Sequence, residues 1–120
     1  MNRWVLLEHK ILSSKLIGIH YDFLVEDRLE CLTWILNEIP SINNGSVEIE
    51  KQPNHRLVWL SRVKYQLSNN RGLVKRIDHG TFSYVSHNQD FQELKILLNG
   101  KLLKGIFTID GNFCRLTKYN

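Results

Sequence analysis

The feature that most constrains this chain is a period of two. Residues 17–26, Ile-Gly-Ile-His-Tyr-Asp-Phe-Leu-Val-Glu, alternate over their second half. On a strand, Tyr21, Phe23 and Val25 then share one face, and His20, Asp22, Leu24 and Glu26 the other. Short runs rich in β-branched and aromatic residues recur near 3–9, 29–36, 46–50, 55–60, 73–78, 81–86, 92–98, 103–109 and 112–118. Turn-forming residues separate them: Glu26-Asp27-Arg28, Asn43-Asn44-Gly45, Asn69-Asn70-Arg71-Gly72, Asp78-His79-Gly80, Asn99-Gly100 and Asp110-Gly111-Asn112. Asn99-Gly100 and Asp110-Gly111 are expected to form tight hairpins. Two segments compete: 28–38 reads as a strand or a helical turn, and Asp90 could cap a short helix over 91–98. Thr33-Trp34-Ile35 and Ile96 favour strands in both. Runs spaced in this way, with no linker or repeat, predict an all-β chain. The expectation is a single domain over 1–120, a small closed or partly open β-barrel of short, mostly antiparallel strands.

At 120 residues with a 42% hydrophobic share the chain can bury a core without covalent staples. No apolar run approaches the roughly 20 residues of a spanning helix. Charges interrupt the apolar start, so it does not read as a signal peptide. Cys31 and Cys114 lie far apart with no metal-type spacing, which suits reduced thiols in a cytoplasmic protein and leaves a single disulfide open. Residues 1–60 hold 6 Lys/Arg and 8 Asp/Glu, whereas 61–120 hold 10 and 4. A basic half favours a polyanionic partner such as nucleic acid; a solvated basic face is the plainer alternative.

His20 and Asp22 are the first candidates for chemistry. At i and i+2 an imidazole and a carboxylate emerge side by side and can converge on one ion. His9 ends the first run and reaches His20 if the two runs pair as a hairpin across residues 10–19. His55 opens the run His55-Arg56-Leu57-Val58-Trp59-Leu60. Three histidines and one aspartate at strand ends make a mixed nitrogen and oxygen set, better suited to Mn²⁺ or Zn²⁺ than to Mg²⁺. His79 and His87 read as surface residues in or beside turns. Trp34 and Trp59 could stack on bases or belong to the core. Arg71 and Arg76, near a glycine-containing turn, are the candidates to reach a phosphate, while Arg56 faces away from His55 on a regular strand.

The order of these motifs resembles the 3′-phosphoesterase domain of bacterial DNA ligase D and its small stand-alone relatives. His20-Tyr21-Asp22-Phe23 with Glu26 is similar to that family's HYDxRLE segment. Val5-Leu6-Leu7-Glu8-His9 resembles the strand ending in its first site histidine. Leu32-Thr33-Trp34 with Pro40, Pro53-Asn54-His55-Arg56-Leu57, Arg71-Gly72 through Thr81-Phe82, and Leu98-Asn99-Gly100 through Gly105-Ile106-Phe107 follow in the family's order. The resemblance implies a small β-barrel that binds Mn²⁺ (or Zn²⁺ or another divalent ion) and trims 3′ ends of DNA, removing a phosphate or a terminal ribonucleoside in repair. It implies His9, His20 and Asp22 as metal ligands and His55 at the scissile phosphate. The chain is expected to be a monomer with no membrane partner, and a ligase or polymerase partner is open.

Leu24 stands where the family has an arginine, and Trp59 where it has a tyrosine. Arg71 is then the candidate catalytic guanidinium, with Arg56, Trp59 and Arg76 as nucleic-acid contacts. Two further readings remain: a weakened or inactive relative that binds nucleic-acid ends, and a non-enzymatic β domain that docks a protein. The last expects His9, His20, Asp22 and His55 to be scattered.

Overall fold

The computed structural model describes residues 2–12, 17–67 and 71–119. Among the described residues nine strands follow in order: β1 (Arg3–Leu12), β2 (Ile17–Asp27), β3 (Glu30–Leu36), β4 (Ser46–Arg56), β5 (Lys64–Leu67), β6 (Gly72–His87), β7 (Glu93–Asn99), β8 (Lys104–Asp110) and β9 (Phe113–Thr117). They form one sheet in the order β1-β2-β3-β4-β9-β8-β7-β6-β5, and β1 also pairs with β6. Eight strands therefore close into a ring, with β5 flanking β6 outside it. Every pairing is antiparallel. The β4–β9 seam carries only three register pairs, Ser46↔Arg115 to Glu48↔Phe113, so the barrel is nearly open there. No helix among the described residues is long and apolar enough to cross a membrane.

The ring encloses one core, built from alternate residues of its strands: Trp4 and Leu6, Phe23 and Val25, Trp34 and Leu36, Ile96 and Leu98, Phe107 and Ile109. Phe23 lies at its centre, with ring centroids 4.7 Å from Phe107 and 5.9 Å from Trp4. A second cluster lies on the outer face. It joins Val5, Leu7, Leu24, Cys31 and Val74 to Leu60, with Leu57, Trp59 and Leu67 packed against it. Both faces of β1 are thus covered, which accounts for its unbroken Trp4-Val5-Leu6-Leu7 run. Cys31 and Cys114 are both buried free thiols.

The segments 28–38 and 91–98 are strand over most of their length, as their β-branched and aromatic residues suggested. Four expectations are corrected. The run 55–60 ends its strand at Arg56 and continues as a five-residue 3₁₀ turn, Leu57–Ser61. In such a turn residues i and i+3 lie over each other, so Leu57 and Leu60 both press onto the outer cluster, a burial that outweighs the β-propensity of Val58 and Trp59. The runs 73–78 and 81–86 are one strand, β6, without a turn at Asp78-His79-Gly80. A bulge there leaves Ile77 unpaired between Leu6↔Asp78 and Leu7↔Arg76. His79 is accordingly an exposed strand residue, while His87 closes β6 with its ring stacked on Phe91.

Asn99-Gly100 does not form a two-residue hairpin. Asn99 pairs with Lys104 across a four-residue loop, whose backbone is held by the Asp78 carboxylate. In the last hairpin the central residues are Gly111-Asn112, with Gly111 supplying a φ of 59°. Lastly, β1 and β2 pair as far as Leu12↔Ile17, so the connection is much shorter than the residues 10–19 expected. Its residues 13–16, like Asn69 and Asn70 of the turn before Gly72, lie outside the described residues.

Candidate metal centre

The site forms where the outer cluster runs out along the β1–β2 hairpin. Leu7 gives way two residues on to His9, and Leu24 gives way in the other direction to Asp22 and then His20. Antiparallel register sets His9 directly opposite His20, so all three polar side chains share the outer face. His55 reaches the same face through an irregularity in β4. Cys31 pairs with His55 but Thr33 pairs with Gln52, which sets two residues, Pro53 and Asn54, against the single Leu32. That bulge turns His55 to the side of Cys31, the outer face.

The His9 Nδ1 and His20 Nε2 atoms are 3.1 Å apart. His20 Nε2 lies 3.3 Å from Asp22 Oδ1, and His9 Nδ1 4.0 Å from Asp22 Oδ2. One ligating atom from each of the three falls within 4.8 Å of the others. Two donors about 2.1 Å from a common ion and about 90–110° apart lie roughly 3.0–3.4 Å from each other. The His9–His20 and His20–Asp22 separations meet that requirement, and the broad χ2 torsion of aspartate gives the third edge freedom to shorten.

The outer hydrogen bonds favour the same use. A carbonyl can only accept, so His9 Nε2 donates to the Arg71 carbonyl at 3.3 Å, which leaves Nδ1 with its lone pair toward His20 and Asp22. Orientation of one imidazole nitrogen by a backbone carbonyl is a common support for a metal-ligating histidine.

Electrostatics point the same way. Burial raises the Asp22 pKa above its ordinary value, and the neighbouring His20, His9 and His55 only partly offset this. Burial also lowers the His20 pKa; Asp22 opposes the shift and His9 adds to it. Each group is thus penalised for carrying charge on its own. A divalent cation takes a carboxylate and neutral imidazoles and removes that penalty. The cluster can therefore hold a divalent metal ion.

A cavity of about 260 Å³ opens beside the cluster, lined by Leu7, His9, Asp22, His55, Trp59, Leu67, Arg71 and Val74. His55 Nδ1 donates to the Pro53 carbonyl at 3.1 Å, which leaves Nε2 to accept or carry a proton. Of the residues read from the sequence, His9, His20, Asp22, His55, Trp59 and Arg71 come together here. Arg56 is exposed and Arg76 half-buried, and neither is among the described residues lining the cavity. Arg76 shares the outer face with Val74, two residues before it, whereas Trp34 is buried in the ring and open to no base. Glu26 is held by Arg3 in a two-pronged ion pair at 3.1 Å and stays clear of the cluster. Leu24 is fully buried, so the site's floor is apolar where the resemblance expects a guanidinium.

Sequence reasoning missed Arg62 and Tyr65. The Arg62 guanidinium sits 4.2 Å from the Trp59 ring centroid and 3.9 Å from that of Tyr65. The three-residue spacing of aromatic, cation and aromatic at 59, 62 and 65 was the available signal, and it shows only once the 3₁₀ turn is known.

No protein-family model and no curated protein matches this sequence.

Proposed function

We propose that the chain binds Mn²⁺, or another divalent ion such as Zn²⁺, through His9, His20 and Asp22 and acts as a phosphoesterase on nucleic-acid 3′ ends. This is the activity implied by its resemblance to the DNA ligase D 3′-phosphoesterase domain. The observation that carries the reading is the convergence of two imidazoles and a carboxylate beside a cavity that His55 and Arg71 also line. The same convergence weighs against a domain in which these residues have no common role.

Bound at this cluster, a divalent ion supplies charge neutralisation for phosphoryl oxygens and lowers the pKa of a coordinated water. His9, His20 and Asp22 hold it, with His9 oriented by the Arg71 carbonyl. Hydrolysis of a 3′-phosphate joins a water oxygen to phosphorus, breaks the P–O3′ bond and leaves a 3′-hydroxyl and inorganic phosphate. His55, its Nδ1 engaged, offers Nε2 to deliver the proton the leaving oxygen needs. Arg71, which lines the cavity, is the residue whose guanidinium would meet the phosphate, and Leu24 contributes only packing. A terminal ribonucleoside would be distinguished by its 2′-hydroxyl.

The apolar Leu24 favours a second reading, a relative that binds ends and turns over slowly, because a transition-state guanidinium is worth orders of magnitude in rate. Incubation with 3′-phosphorylated primer–template DNA and Mn²⁺ separates the two. Phosphate release that disappears in His20→Ala supports the enzyme; salt-sensitive binding with no product at stoichiometric protein supports the binder.

A further inference from the structure

The wall of the cavity formed by the 3₁₀ turn and β5 has a composition unlike the rest of the chain. Residues 51–77 contain seven Lys/Arg and no Asp/Glu. Arg76 shares the outer face with Val74, whereas Lys64 and Lys75 stand opposite each other on the other face, where Lys75 is also paired with Glu8. Arg62 is the central cation of this wall. It makes no ion pair or hydrogen bond among the described residues and rests over the Trp59 and Tyr65 rings. A guanidinium held in the angle between two aromatic rings is fixed in place and loses little side-chain entropy on binding a ligand. Trp59 also lines the metal cavity, and its ring centroid is 6.1 Å from that of His55. Tyr65 is 39% exposed.

We propose that Arg62, clasped by Trp59 and Tyr65 at the lip of the metal cavity, grips a backbone phosphate of the single-stranded nucleic acid whose 3′ end enters that cavity. The exposed Tyr65 ring, level with Val74 on the cavity's face, offers a surface on which a base can stack. This rests on the proposed action at 3′ ends, but its test needs neither metal nor turnover.

Binding of a 5′-fluorescein-labelled dT12 is followed by anisotropy in the presence of chelator, over a salt series. Arg62→Ala is expected to weaken binding about tenfold and to reduce the salt slope by about one. Arg62→Lys keeps the charge but not the planar fork and should recover only part of the loss. Lys95→Ala, which removes an equal charge from β7, should change affinity less than about twofold. Poly-glutamate of matched charge should compete poorly. Wild-type affinity in Arg62→Ala or in both Arg62 variants, an equal loss in Lys95→Ala, or full displacement by poly-glutamate would overturn the proposal. Arg62-dependent binding without phosphate release would refute the phosphoesterase reading alone. Phosphate release at an unchanged KM in Arg62→Ala would refute the role of Arg62 alone.

Discussion

Two strand carboxylates, Asp78 and Asp22, are removed from water in opposite ways. Asp78 is buried on β6 and accepts four backbone N–H groups: His79 and Lys101 on Oδ1, at 2.9 and 3.1 Å, and Leu102 and Leu103 on Oδ2, at 2.8 and 2.9 Å. Burial alone would raise its pKa, but together the four donors outweigh burial and hold it below the ordinary value. Asp22 receives no backbone N–H among the described residues. Its near partners are two imidazoles, and its pKa is raised. A carboxylate satisfied by the backbone fastens a loop; one left to titratable side chains is arranged for a cation from outside.

The contrast breaks first at Asp78. Asp78→Asn sets an amide against N–H donors and should cost on the order of 3 kcal/mol, lowering Tm by about 10 °C. Because the folded pKa of Asp78 lies below its ordinary 3.8, its stabilisation is complete above about pH 4 and is lost as pH falls through the folded value. Acid denaturation curves should therefore differ most above pH 4 and converge below it. A mutant curve parallel to wild type at every pH would show that the four contacts carry no charge-dependent energy.

A smaller loss tests how tightly that loop is built. A Cβ at Gly100 would lie 2.5 Å from Trp4 Cζ2 and 2.6 Å from Asp78 Oδ2. Gly100→Ala should then cost about 1–3 kcal/mol through displacement of the buried indole, read as a lower urea midpoint with an unchanged slope. The smallest effect sharpens the other side of the comparison. Asp22→Asn removes a desolvated charge and should raise the metal-free Tm by about 1–3 °C. A fall of several degrees would mean that Asp22 is a structural carboxylate after all.

How much of this was legible in the sequence depends on whether the cause was local. Alternation in 17–26 gave β2 and the shared face of His20 and Asp22, because side-chain direction on a strand is set by neighbouring residues. His9 needed the pairing partner as well, and the hairpin supplied it. The 3₁₀ turn was hidden, because Val58-Trp59-Leu60 reads as strand until the outer cluster that captures Leu57 and Leu60 is known. Asp78-His79-Gly80 read as a turn because its residue types allow one; the contacts that make Asp78 a mid-strand anchor come from 101–103, more than twenty residues away. Gly80 serves closeness rather than turning, since a Cβ there would strike the Asn99 carbonyl. The bulge that brings His55 to the site likewise depends on the β3 register, which no single segment encodes.

The central claim is that His9, His20 and Asp22 bind one divalent ion. Calorimetric titration of chelator-stripped protein with Mn²⁺ and with Zn²⁺ tests it most directly, with His20→Ala and Asp22→Asn alongside. One ion per wild-type chain, with affinity reduced about 100-fold or more in each variant, is the expected result. No binding to the wild-type chain, or equal binding to all three proteins, would contradict it.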